Sequence, residues 1–233
     1  MTKARLFAVP LGTPYPAAFV DGFLDRFAGS DPALAARATI IVNSGSMARA
    51  IKAAFSDRGP LLIPKIIPVS AIETLIPEHN APEAINPIRL RLELAQLTAK
   101  RIEADPGLMP GSTAFDVSGA LMRLLGEMAS EAVAPADLAA LDVGDHSAHW
   151  QRNLEFITLV DTFLQTGIAP ESEARQRQVV DALIERWHLN PPDAPIVIAG
   201  STGSRGTTRR LIEAVARLGQ GHVVLPGFDG TLP

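Results

Sequence analysis

The sequence predicts an α/β fold built on a parallel sheet, with an all-helical block inserted into it. Three observations carry this. Between Ala194 and Asp229 the apolar run Ile196, Val197, Ile198 stops at a Gly/Ser/Thr loop, Thr207 to Leu218 repeats apolar residues at helical spacing, and His222 to Leu225 is apolar again. Strands joined by one such helix are parallel and covered by it. Two further strand-loop-helix patterns open the chain, whereas Asn86 to Asn190 reads as helices throughout. The predicted division is therefore an α/β core of residues 1–85 and 191–233 around a helical insert of residues 86–190.

In order along the chain, Arg5 to Val9 is the first strand, closed by Pro10. Its loop, Pro10 to Pro16, leads into a helix with Phe19, Val20, Phe23, Leu24 and Phe27 along one face. Ala38 to Val42 is the second strand, and Asn43-Ser44-Gly45-Ser46 leads to a helix from Met47 to Phe55, capped by Asn43 or Ser46. Leu61 to Val69 is apolar but interrupted by Pro64 and Pro68, which fits a short edge strand with Lys65 as a guard against unwanted pairing. The insert holds helices from Pro87 to Ile102, Phe115 to Met128, Pro135 to Leu141, Ser147 to Gln165 and Glu171 to Trp187. Pro191-Pro192 returns the chain to the core.

The composition narrows the function. The 233 residues are 47% hydrophobic, enough for one sizeable core and a smaller second unit. No apolar run reaches the length of a membrane span and MTKARLFAVP lacks an export signal, so the expected location is the cytoplasm. Without cysteine, disulfides, thiolate zinc sites and iron–sulfur clusters are excluded from this segment. The charge is unevenly divided: residues 86–190 hold 9 Lys/Arg against 15 Asp/Glu, and the flanks hold 12 against 10. An acidic middle repels a phosphate backbone, so any nucleic-acid contact belongs to the flanks.

The motifs exclude more than they establish. A phosphate-cradling loop needs the pattern G-x-x-x-x-G-K-[ST], with glycines for converging N–H groups, a Lys for phosphate and a hydroxyl for Mg²⁺. After the first strand only Gly12 and Thr13 remain, and prolines remove the donors. The loop Gly200 to Thr208 has small residues and Arg205, but no Lys follows its last Gly and its glycines stand one residue too far apart. Asp145, His146 and His149 suggest a metal cluster, yet the two His lie three apart, where a helical zinc motif needs four. His149 with Trp150 is better read as the start of the fourth helix of the insert, and His188 as a residue that favours the helix dipole at the end of the fifth. No Gly-x-Ser-x-Gly elbow and no Cys nucleophile is present.

Several longer stretches carry a resemblance. PIVIAGSTGS followed by RRLIEAVARLGQGHVVLPGFD, then HWQRNLEFITLV, LIPKIIPVSAIE and INPIRLRLELAQLTAK, spread along nearly the whole chain, resemble the N-terminal part of the AddB family. AddB is a subunit of the bacterial AddAB helicase–nucleases of double-strand-break repair, and the resemblance is to the form found in α-proteobacteria. It implies an α/β fold with a parallel sheet of the P-loop/superfamily 1 helicase domain type and an inserted all-helical subdomain. It also implies a fragment of a longer chain whose nuclease lies beyond residue 233.

On that plan Gly12 and Thr13 fall at the Walker loop, Asn43 to Ser46 at the DNA-touching loop, and either Ala199-Gly200 or Gly200-Ser201 where relatives carry the Mg²⁺-binding Asp-Glu pair. Pro226 to Asp229 falls at the last motif. ATP hydrolysis needs a Lys on the phosphates and carboxylates at the metal, and neither stands at these positions. The resemblance therefore implies vestigial nucleotide-site positions, no catalytic residue, no metal and no cofactor in this segment. The expected role is to guide DNA and hold an AddA-type motor subunit, with no membrane involved. Candidate DNA contacts are Ser44, Ser46, Arg49, Ser201, Thr202, Ser204 and Arg205, small hydroxyl and basic groups that grip a backbone without reading sequence. Gly45-Ser46-Met47 replaces the basic residues that relatives carry after the second strand. One rival is a small-molecule α/β enzyme that binds a nucleotide or phosphate ester at Gly200 to Thr208; another is an interaction module with the acidic helices as its partner surface.

Overall fold

The computed structural model describes residues 5–29, 31–79, 81–105, 111, 113–141, 147–165 and 170–227, with the backbone alone at 147–149, 151, 152 and 163–165. In chain order the elements are β1 (Leu6–Val9), α1 (Tyr15–Phe23) continued by one π turn (Leu24–Ala28), α2 (Pro32–Arg37), β2 (Thr39–Val42) and α3 (Gly45–Ser56). Next come β3 (Lys65–Pro68), a 3-10 turn (Val69–Leu75), α4 (Pro87–Ala104), α5 (Ala114–Glu131) and α6 (Pro135–Ala139). The chain then forms α7 (Ser147–Gln165), α8 (Ser172–Leu189), β4 (Ile196–Ala199), α9 (Gly206–Arg217) and β5 (Gly221–Pro226). Two compact units result, Met1–His79 with Val179–Pro233, and Asn80–Gln178. The division falls at 79/80 and 178/179, where the sequence puts it at 85/86 and 190/191.

The first unit is an α/β layer structure. Its five strands are all parallel, in the order β1-β5-β4-β2-β3. A parallel sheet is covered on both faces, and every residue of β4 is buried accordingly. On one face Ile40, Val42, Val197 and Ala199 pack with Phe19, Val20, Phe23 and Phe27 of the first helix and with Ile51 and Phe55 of α3. Phe19, Phe23 and Phe27 stand four apart, and Phe55 meets Phe23 edge to face at 5.6 Å between ring centroids. On the other face α9 packs on β4 and β5 and buries Leu211 and Val215 completely.

The connections place the site. From β2 the chain crosses through α3 outward to β3, and from β4 it crosses through α9 the other way to β5. Right-handed crossovers then put α3 and α9 on opposite faces. Because β2 and β4 are neighbours, the crevice at their carboxyl ends is the switch point of the sheet, where α/β folds take up ligands.

Strand β3 is an edge strand, as its prolines predict, with Lys65 exposed and its Nζ donating to Thr74 O at 3.4 Å. One expectation is corrected: neither Asn43 nor Ser46 caps α3. Ser44 does, its Oγ accepting from Met47 N at 3.2 Å, because Ser44 holds the extended backbone of a cap and Gly45 already begins the helix.

The second unit is helical. Ile85, Leu90, Leu94, Leu121, Leu125, Phe156 and Val160 form its core, drawn chiefly from α4, α5 and α7. Asn86 caps α4 through bonds from the N–H groups of Ile88 and Arg89, and Thr113 caps α5 from Asp116 N. Among the described residues no helix is long and apolar enough to cross a membrane.

Candidate functional site

Because the strands are parallel, the loops after β1, β2 and β4 all emerge at one end of the sheet. The side chains of Tyr15 and Met47 occupy the space between them. Tyr15, the first residue of α1, accepts a hydrogen bond from Gly200 N at 2.5 Å and donates one to Val224 O at 2.7 Å. Its phenol thus ties the start of the first helix to the ends of β4 and β5. Burial holds its proton above the ordinary phenol range, only partly offset by the Gly200 N–H. Met47, in the first turn of α3, fills the adjoining space. A Cβ built on Gly200 would lie 3.1 Å from Met47 Cε and 3.4 Å from Tyr15 Cε1. Gly200 also has φ +70°, so the bend after β4 needs glycine on both counts.

The positions that the sequence singles out divide into two groups. Gly200 and Ser201 are buried at the switch point, Ser201 only 8% exposed, with its Oγ accepting from Gly203 N at 3.4 Å. Gly12 and Thr13 are exposed, Gly12 at φ +79°, in a tight turn closed by Thr13 N to Pro10 O at 3.4 Å. Ser44, Ser46, Arg49, Thr202, Ser204 and Arg205 are all exposed. Ser44 spends its hydroxyl on the cap, and Arg49 donates through Nη2 to Ser46 Oγ at 3.0 Å. The structure joins the loop after β4 to the helices after β1 and β2 through Gly200, Tyr15 and Met47.

The chemistry available here is limited. Residues 10–14, 43–46 and 200–205 include no carboxylate, lysine or histidine, so no acid, base or nucleophile pair can be assembled from them. They offer hydroxyls, backbone N–H groups and the Arg205 guanidinium, and Arg49 adds a second guanidinium from α3. Among the described residues no group of three His, Asp or Glu side chains is arranged to hold a metal. Asp145 and His146 lie outside the described residues, as do Phe228, Asp229 and the His149 side chain. A cavity of about 480 Å³ lies beside β1 and is lined by Phe7, Phe19, Phe23, Phe27, Arg26 and His222 among others.

The sequence holds one signal for Tyr15, an aromatic residue between two prolines at a helix start. Nothing in it signals that residue 15 meets residues 200 and 224, since only the sheet order brings them together. In comparisons with known proteins, no family model matches the chain and no curated protein matches it.

Proposed function

We propose that the chain is the N-terminal helicase-like region of an AddB-type subunit of a DNA helicase–nuclease, a scaffold that guides DNA and docks its motor partner without an ATPase site of its own. The observation that carries this reading is the filled crevice. In a nucleotide-binding sheet of the P-loop type the first strand ends in a loop of free N–H groups and the phosphates lie on the following helix N-terminus. Here Pro14, Tyr15 and Pro16 stand at that helix start, the Tyr15 hydroxyl takes up Gly200 N–H, and Met47 packs alongside. Side chains hold the volume that phosphates and Mg²⁺ would need.

What remains at the surface suits a backbone-gripping role. Arg49 and Arg205 are exposed, and around them stand hydroxyl groups of Ser46, Thr202 and Ser204. Such groups bind phosphate without reading bases. The motor and nuclease activities of such a complex belong to the partner and to other regions.

Calorimetry with Mg·ATP, beside a salt titration of fluorescent single-stranded DNA, tests the reading. The expected result is no heat from ATP and DNA binding that weakens as salt rises. Tight ATP binding would overturn it and favour an α/β enzyme using Gly200 to Thr208. DNA binding absent at every salt concentration would overturn the guiding role and leave an interaction module.

A further inference from the structure

The helical unit carries an open groove of about 430 Å³ between α4 and α5. Its apolar lining is unusually bare: Ile88 is 72%, Leu92 51% and Phe115 48% exposed, with Met122 beside them. Ile88 and Leu92 stand one turn apart on α4, and Phe115, Gly119 and Met122 follow one another along α5, so the apolar strip is about 10 Å long. Two cations and no carboxylate line it among the described residues: Arg91 and Arg123.

Arg91 is held across the groove. Its guanidinium stacks on the Phe115 ring, 3.8 Å from the centroid, and Nη2 donates to Phe115 O at 3.4 Å. Gly119 makes room, since a Cβ there would lie 3.3 Å from Arg91 Nη2. Nε is buried and bonds to nothing in the protein. A guanidinium fixed beside bare aliphatic surface, with Arg123 lining the same groove, matches an acidic group carried on an apolar segment.

We infer that this groove docks an acidic amphipathic helix of a partner protein, apolar residues on Ile88, Leu92 and Phe115 and carboxylates on Arg91 and Arg123. Two packed helices form a ready furrow for a third, read at i, i+3 and i+4 spacing. The charge of the surroundings selects the partner class. The groove is mostly aliphatic and offers only two arginines, which suits a few carboxylates on an apolar helix and is too little charge for a polyphosphate backbone. The inference draws on the helical unit alone and does not depend on what the strand-end loops bind.

The probe is a stapled peptide of about 15 residues, long enough for a stable helix, with leucines along one face and glutamates flanking them. Fluorescence anisotropy against the whole chain is expected to show saturable binding. The double variant Arg91→Glu, Arg123→Glu is expected to weaken it about tenfold or more, and a peptide with lysine in place of glutamate to recover that loss. Leu92→Asp, at an exposed position, removes the apolar half of the contact, and thermal melting checks that each variant folds. Equal binding by the wild type and the charge variant, no binding of the peptide below about 1 mM, or an Arg91-dependent preference for oligo(dT) over the peptide would each overturn the inference.

Discussion

Tyr15 ties the start of the first helix to the carboxyl ends of β4 and β5. Its hydroxyl is at once acceptor for Gly200 N–H and donor to Val224 O, and Gly200 is buried. Tyr15→Phe keeps the ring but leaves Gly200 N–H and Val224 O with only their long mutual bond of 3.4 Å, which is expected to cost about 1 kcal/mol of stability in urea unfolding. A loss below a few tenths of a kcal/mol would mean that water replaces the hydroxyl there. The second residue of this kind is His222, only 4% exposed, which stacks near Phe7 and meets Phe27 edge to face. Its Nδ1 lies 3.2 Å from Gln220 O, so the neutral ring donates there. Burial pushes its pKa from 6.5 down to about 4, with Arg26 and Arg5 adding to the effect and the Gln220 bond opposing it. The unfolded chain therefore takes up the proton first. Stability is full above pH 6.5 and falls between 6.5 and about 4, by about 3 kcal/mol at most. In His222→Gln that part of the pH profile is expected to flatten. A profile with an unchanged slope would assign the acid sensitivity to other groups.

Helix ends show which parts of the elements can be read in advance. The strands of the core are legible because short β-branched runs such as Thr39 to Val42 and Ile196 to Ile198 are bounded by loop residues. The end of α5 is not. The spacing predicts a stop at Met128, but the helix continues to Glu131 and ends at Ala132 with φ +58°, the C-terminal turn being closed by Val133 N to Met128 O at 2.9 Å. That turn normally takes glycine, and alanine carries no stop signal. Ala132→Gly is expected to raise stability by about 1 kcal/mol, by relieving the left-handed strain. A decrease on thermal melting would show that the lost methyl or the freer unfolded chain outweighs it. The apolar run of α4 illustrates the same limit. Leu90 and Leu94 face the core while Ile88 and Leu92 stand in water, and the run of alternate leucines does not distinguish the two sets. Likewise Ser44 caps α3 because backbone geometry, not residue type, selects among Asn43, Ser44 and Ser46.

At the scale of the whole molecule the deciding quantity is charge. The chain carries −4 in all, and the stretch 86–190, with 9 basic and 15 acidic residues, is more negative than the total. The flanks are left slightly positive, so on the proposed reading a DNA strand at the strand-end loops would meet a weak local attraction against the net negative charge of the whole chain. If Arg49 and Arg205 supply most of the phosphate contacts, about two or three counterions are released on binding. The logarithm of the association constant is then expected to fall against the logarithm of salt concentration with a slope of about −1.5 to −2 for a single strand. Arg49→Glu with Arg205→Glu is expected to bring the slope close to zero and to weaken binding at low salt, while leaving thermal stability within about 0.5 kcal/mol because both side chains are exposed. A slope steeper than about −4 that survives the double change would place the basic surface elsewhere on the chain. A shallow slope that the double change abolishes would tie the DNA contact to the two loops that flank Tyr15 and Met47.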